Sequence, residues 1–435
     1  MNSRRPVGVG ELAEESCQFN EDRVASYSIE LRSDAAMLNA VVTPAVAAKR
    51  HLLDSAPSLG LYLGHTRTDF RNFTEAGMTM AGGQAGQGIT LEEQAQAGLG
   101  ADLVLEGGGV KGIGLVGAVL TLHEAGYVFP RVGGTSAGAI VAALIAAYQV
   151  KKIPLTQLQT DMAELDYSKF MQKTWAEKHL GLIGDADALV SHQGVYASSY
   201  VQEWLTSKLD PLGIRTFGDL RITGDEGTGL APYQRYRLVT HTSDLTRGAL
   251  VRLPWDLPFY LLSSNDQDDQ AAQITAIDNY PIVDAVRASM SIPFFFQPFE
   301  QKTAGGVCTW VDGGLLQNFP VTVFDRTDGQ RNRWPTFGIK LSSRPALNTP
   351  DVPVRGDLRE VVSIAHTATG EWNRYSLADE GVAARTVFVD TMGIASTDFG
   401  LTNDQRDALF ANGQAAASKF LADWAKAHPP VATAT

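Results

Sequence analysis

Gly107-Gly108-Gly109-Val110-Lys111-Gly112 and Gly134-Thr135-Ser136-Ala137-Gly138 each follow an apolar, strand-like run, and each opens a helical pattern. The second has the form G-x-S-x-G. Small residues on both sides of the serine let the chain turn sharply from strand to helix, which lifts a hydroxyl clear of the packing. In the first, three successive glycines allow backbone N–H groups to approach a ligand oxygen closely. The helix that follows adds its positive N-terminal end. Read together, the two stretches describe a nucleophilic serine beside an anion-stabilising loop. Each alone is weak in a chain with 42 glycines.

The glycine loop also satisfies G-x-G-x-x-G through Gly107, Gly109 and Gly112, after the strand-like Asp102–Leu105 and before the helical Ile113–Ala125. A dinucleotide site further requires an acidic residue about twenty positions on, at the end of the next strand. Arg131-Val132-Gly133-Gly134 stands there instead, and no Gly-Lys-Ser/Thr phosphate loop occurs.

A serine nucleophile needs a base. After Ser136 the histidines are His179, His192, His241, His366 and His428, and none lies in a glycine-rich loop of the kind that presents a catalytic imidazole. His241 falls in a strand-like run and His366 in a helical one, so both read as structural. Asp312 is the stronger partner. Val307-Cys308-Thr309-Trp310-Val311-Asp312-Gly313-Gly314 is an apolar strand that ends on Asp-Gly-Gly, at the edge where active sites of open α/β sheets collect. Asp-Gly is equally a plain turn, and spacing alone leaves both readings open.

With these residues on the page the chain resembles the patatin-like phospholipase family. GGGVKG, GTSAG and DGG appear in the family's order, over roughly residues 100 to 392. Thr240–Leu245 and Ala285–Pro293 are similar to further family segments. The resemblance implies a three-layer α/β/α sandwich with a mainly parallel sheet. It implies a Ser136–Asp312 dyad without histidine, an oxyanion hole at Gly107, Gly108 and Gly109, and hydrolysis of carboxylic esters of phospholipids or lysophospholipids through an acyl-serine. No metal or cofactor is implied. A free aspartate, with a pKa of about 3.9, is a weak base unless burial raises it. Lys111 reads either as a phosphate contact or as a solvated lysine; Phe294 and Phe295 are candidates for lining the acyl site. Gly108→Ala is expected to lower turnover more than binding, through blocked approach and an unfavourable φ.

Composition agrees with an enzyme of this kind. The chain has 435 residues, is 44% hydrophobic and 19% charged, and can bury a large core. Its net charge of −12 argues against nucleic acid and against broad attraction to anionic membranes, leaving transient, local membrane contact. Cys17 and Cys308 make a structural disulfide or metal site an unfavourable reading. No apolar leader precedes the body of the chain and no run approaches about 18 apolar residues, so the expected location is the cytoplasm, or outside it without a cleaved signal peptide.

Three regions are expected: residues 1–99 as a helical and linker segment acting as brace or regulatory arm, 100–392 as the catalytic domain, and 393–435 as a C-terminal helix on that domain. Strand candidates are Asp102–Leu105, Pro130–Gly133, Tyr236–His241, Val307–Val311, Thr336–Leu341 and Arg385–Asp390. The aromatic, proline-broken Leu253–Leu262 reads either as a lipid-facing lid carrying Trp255, Phe259 and Tyr260 or as a loop on the core. A general carboxylesterase or acyltransferase, and an activator-dependent lipid-binding effector with a protein or small-molecule activator, are the alternatives. The oligomeric state is not legible.

Overall fold

A computed structural model describes residues 99–166, 169, 199–293, 295–330, 332–341, 380–396 and 398–428. Its elements in chain order begin with β1 (Asp102–Leu105), α1 (Gly112–Glu124), β2 (Val132–Thr135), α2 (Ala137–Lys151), α3 (Gln157–Glu164) and α4 (Ser199–Leu209). Then come β3 (Leu238–Asp244), β4 (Ala249–Leu253), α5 (Leu257–Leu261), α6 (Gln270–Asp278), α7 (Ile282–Ser289), β5 (Phe299–Thr303) and β6 (Gly306–Asp312). The series ends with α8 (Gly314–Gln317), β7 (Thr336–Lys340), α9 (Glu380–Ala384), β8 (Thr386–Phe388) and α10 (Asn403–Ala427).

The strands form one mixed sheet in the order β5-β6-β3-β2-β1-β7-β8, with β4 also on β3. Its middle is parallel, from β3 through β2, β1 and β7 to β8. β4, β5 and β6 pair antiparallel. Alternation along β1 sends Leu103 and Leu105 into the larger core and Val104 into a second cluster with Trp255, Phe319, Val321 and Phe324, so both sheet faces are covered.

α2 is apolar around its whole circumference and buried along most of its length, as a central helix must be. α1 and α10 pack backbone to backbone: a Cβ on Gly117 would stand 2.1 Å from the Phe410 carbonyl, and one on Gly413 the same distance from that of Gly114. Thr402 caps α10 through a reciprocal capping box with Gln405. Farther along, Phe420 and Trp424 meet Phe337 of β7 at 5.0 and 4.9 Å between ring centroids.

The lid reading of Leu253–Leu262 fails for two of its three aromatics. Trp255 and Tyr260 are buried, and only Phe259 is exposed. Tyr260 donates its hydroxyl to Asp244, 16 positions away, at 3.0 Å and meets the distant Trp310 edge-on at 5.1 Å, and these partners hold the segment on the sheet. β4 and β5, absent from the strand candidates, complete the antiparallel side. Among the described residues, no helix is long and apolar enough to cross a membrane.

Candidate active site

β3 explains why Ser136 and Asp312 meet. β4 occupies one edge of β3 from Thr240 to Asp244, so β2 and β6 share the other. β2 runs parallel and ends with Thr135 opposite His241; β6 runs antiparallel and ends with Asp312 opposite Thr242. The two strands therefore stop head to head, one register position apart. Ser136 follows directly on β2.

Both glycines around the serine are required by space. A Cβ on Gly138 would stand 2.4 Å from the Leu105 carbonyl, and one on Gly134 2.3 Å from that of Gly138. The turn they permit places Ser136 at φ 53°, ψ −125°, at the N-cap of α2. A non-glycine residue with positive φ is strained, and such strain collects at functional sites. Two further groups hold the turn. The Ser136 N–H donates to Ser289 Oγ at 3.0 Å, and that hydroxyl donates to the His241 carbonyl at 2.6 Å. Ser289 falls in the segment Ala285–Pro293 that resembles the family, but its supporting role was not read there, since a serine at a helix end carries no mark of its distant partners.

Asp312 is buried, and its N–H is anchored on the Ser291 carbonyl at 2.8 Å. Burial pushes its carboxyl up to about 7; a hydrogen bond from the Ser136 hydroxyl and one from the Gly314 N–H at 2.7 Å pull the other way. Among the described residues no arginine or lysine faces it to hold it ionised. A carboxyl near neutrality beside a strained serine hydroxyl has the chemistry to exchange a proton with it near pH 7.

The glycine loop contributes donors unequally. Gly107 donates its N–H to the Asn318 carbonyl at 3.1 Å, and Asn318 Nδ2 donates back to the Gly107 carbonyl at 2.9 Å. This corrects the expectation for Gly107: its donor is spent on holding the loop to α8. Among the described residues the N–H groups of Gly108 and Gly109 have no partner, and neither has that of Ala137. Gly109, not Gly108, is the conformationally demanding position, with φ +55°. Gly108, at φ −160°, lies outside the left-handed region, so the positive-φ demand falls on Gly109 alone of the two.

Beside Ser136 lies an apolar pocket of only 20 Å³, walled by Ile140, Met162, Met290, Ile292, Phe296 and Phe399, with Gly109 at its rim. Phe295 stands behind, its ring 6.2 Å from that of Phe399. Phe294 lies outside the described residues. Lys111 is not part of the pocket wall; burial lowers its ammonium pKa, with Glu106 opposing and Lys340 adding to the effect. That disfavours the solvated-lysine reading.

His241 is one register step from the dyad, but its ring lines a separate cavity of 590 Å³ with Arg252, Trp255 and Phe324. Burial lowers its pKa to about 4, and Nδ1 is 3.5 Å from the Gly134 carbonyl. His179, His192 and His366 lie outside the described residues. No group of three or more metal-ligating side chains occurs among those described.

The family model for patatin-like phospholipase matches residues 103–325, the span that carries the glycine loop, the serine turn and Asp312. The chain belongs to the patatin-like phospholipase family. An uncharacterised Bacillus subtilis protein, YqhO, is 34% identical over 328 residues, which make up 74% of this chain and 98% of YqhO. Two solved structures are more distant. VipD of Legionella pneumophila is 16% identical, with a TM-score of 0.39 over 74% of this chain and 66% of that one. ExoU of Pseudomonas aeruginosa, in its complex with SpcU, is 18% identical, with a TM-score of 0.39 over 75% of this chain and 52% of that one. The patatin-like family makes lipid hydrolysis the class of activity, with a lipid as substrate.

Proposed function

We propose that the protein is a phospholipase A or lysophospholipase that works through an acyl-Ser136 intermediate, with Asp312 as its general base. The observation that carries this reading is the pairing itself. A buried carboxyl raised to about 7 accepts the hydroxyl of a serine held at positive φ. In acylation, Ser136 Oγ bonds to the ester carbonyl carbon while its proton passes to Asp312. The tetrahedral oxyanion is met by the N–H groups of Gly108, Gly109 and Ala137. Collapse breaks the bond to the leaving alcohol, which takes the proton from Asp312. A water then repeats the sequence on the acyl-enzyme, giving up its proton to Asp312, which returns it to Ser136 as the fatty acid leaves.

In this reading residues 100–392 are the catalytic domain, 1–99 a brace or regulatory arm and 393–435 a helix docked on that domain. Membrane contact is transient. A protein partner is in keeping with the reading, since ExoU is solved in complex with SpcU.

The test is product analysis on mixed phospholipid vesicles by mass spectrometry. Wild-type protein should release free fatty acid and lysolipid, and Ser136→Ala should release neither while keeping its thermal midpoint. Release at the wild-type rate by Ser136→Ala would overturn the reading.

A further inference from the structure

The sheet is uneven at the edge that carries the dyad. β2 stops at Thr135, opposite His241, while β3 continues to Asp244 and its ladder with β6 runs one residue farther, where the Leu245 N–H donates to the Thr309 carbonyl at 2.9 Å. Thr242 faces Asp312. At about 3.4 Å per residue, Leu245 therefore stands roughly 10 Å beyond the dyad, and Val307, near the start of β6, roughly 17 Å beyond it. The antiparallel strands form an arm that projects past Ser136 at the same sheet edge.

The end of this arm is apolar. Among the described residues the large hydrophobic side chains most open to water are Phe259, Val307 and Leu245, at 60, 55 and 52%, and all three are on it. Leu245 is opposite Thr309, and the two-residue period of a strand puts Val307 on Thr309's face. Trp310 points to the opposite face, where Tyr260 meets it, and Phe259 lies beside Tyr260 with ring centroids 5.7 Å apart. The Tyr260 carbonyl accepts the Ala304 N–H at 3.0 Å from the turn between β5 and β6. Single apolar side chains on a surface need no cause, but the three most exposed gathered at one end do. They are also displayed by a firm support, since Tyr260 ties this segment to Asp244 and Trp310 of the sheet.

Charge does not explain the patch. Arg247 and Lys302 are exposed there, but so are Glu300 and Asp266, on a chain of net charge −12. Arg247 lies over the Phe259 and Tyr260 rings at 5.0 and 4.2 Å and borders an open recess of 410 Å³ with Ser263, Gln267 and Gly305. Apolar tips beside a recess that holds a guanidinium and neutral polar groups match an amphiphile with acyl chains and a phosphate-bearing head group.

We infer that this arm docks the protein on a phospholipid bilayer, with Leu245, Phe259 and Val307 entering the boundary between head groups and acyl chains, and that phosphatidylcholine, without net charge, suffices. The inference rests on lipid hydrolysis at Ser136. It also orients the site: the dyad stands above the surface, so a lipid is raised partly out of the bilayer before its ester reaches Ser136.

Binding is read by cosedimentation with phosphatidylcholine vesicles in a Ser136→Ala background, which leaves the vesicles intact. Leu245→Ser, Phe259→Ser and Val307→Thr together should lower the partition coefficient at least about tenfold, since each removes apolar area from the contact. With Ser136 restored, the same changes should lower kcat/KM on vesicles by a similar factor and leave that on p-nitrophenyl butyrate within about twofold. Phe259→Ser alone, with a smaller loss of binding, takes their place if the triple variant does not fold. Vesicle binding undiminished by these changes, or binding of the parent protein only when anionic lipid is added, would overturn the inference. So would a dimer in sedimentation equilibrium that the three changes dissociate, which would make the patch a contact between two copies of the chain. Turnover of neither vesicles nor butyrate by wild-type protein would instead remove the hydrolase reading, with vesicle binding of the Ser136→Ala protein still deciding the role of the arm.

Discussion

Asp102, at the start of β1, and Asp312, at the end of β6, are buried carboxylates on one sheet, and their partners set them apart. Asp102 is gripped by Arg131, with Nε at 3.0 Å and a second bond from Nη2. Burial raises its pKa, and the guanidinium pulls against that rise. Arg131 in turn lies over Phe324 at 4.5 Å. Asp312 has a hydroxyl and one backbone N–H and, among the described residues, no cation. A paired carboxylate locks two strands together; an uncompensated one keeps its proton near pH 7 and can trade it. In the proposed mechanism the first end of the sheet serves for holding and the second for exchange.

Removing each carboxylate should therefore give crossed results, and this is the largest effect expected. Asp312→Asn should lower kcat by about 10⁴- to 10⁶-fold, the range over which losing the aspartate or the base of a catalytic triad falls in serine hydrolases, and leave the thermal midpoint at or above that of the wild type. Asp102→Asn should strand a buried Arg131, costing roughly 3–5 kcal/mol of stability, with kcat of the folded fraction near wild type. Equal damage to stability and activity in both variants would erase the distinction.

The glycine loop sharpens the same contrast at one step less. Gly109→Ala must place a methyl 1.9 Å from the Ser396 carbonyl on a residue at φ +55°. Strain of about 1–3 kcal/mol and misaimed donors should cut kcat about 10²-fold and leave KM little changed. Gly108→Ala, at a φ outside the left-handed region, meets chiefly the tip of Leu341 and should do less. A larger loss in Gly108→Ala than in Gly109→Ala would mean that the donors are assigned wrongly.

How much of this was legible without coordinates follows from range. Strand Asp102–Leu105, strand Thr336–Lys340 and the serine turn are written in consecutive residues, and so is the Thr402 cap of α10. The meeting of β2 and β6 along one edge of β3 is a matter of register, and no local pattern encodes it. β5 reads Phe-Glu-Gln-Lys-Thr, too polar to announce a strand, and becomes one by pairing with β6. For Trp255 and Tyr260 lid and core loop both stayed open, because their ring partners, Phe324 and Trp310, are about 50 or more positions away. Ser289 and Phe399 belong to the site only through contacts of that kind.

pH separates the roles of Asp312 further. As a base it must be ionised, so kcat/KM should rise as the pH passes upward through about 7 and level off above it. Stability should run the opposite way. The folded state keeps this proton up to about 7, while the unfolded chain releases it near 3.8. The contribution is full below 3.8, is lost as the pH climbs to 7, and is constant beyond. Asn cannot titrate, so the midpoint of Asp312→Asn relative to wild type should climb between pH 4 and 7. A difference that stays flat across that window would show that the carboxyl is not raised.

The smallest effect is expected at His241, the nearest to Ser136 and Asp312 of the histidines among the described residues. Its backbone carbonyl, and not its ring, joins the chain of bonds to Ser136 through Ser289. The ring faces another cavity, and with a pKa lowered to about 4 it is neutral wherever Asp312 could act as a base. His241→Asn should hold kcat within about threefold, well under 1.4 kcal/mol of barrier. What it should change is acid stability. The folded histidine resists protonation that the unfolded chain accepts below 6.5, so its contribution is present above 6.5 and is lost as the pH falls toward 4. The asparagine variant should lack that loss, losing less stability than wild type between pH 6.5 and 4. If His241→Asn instead abolished hydrolysis as Ser136→Ala should, a histidine relay would replace the dyad, and the uncompensated carboxyl of Asp312 would be orienting an imidazole and not acting as the base.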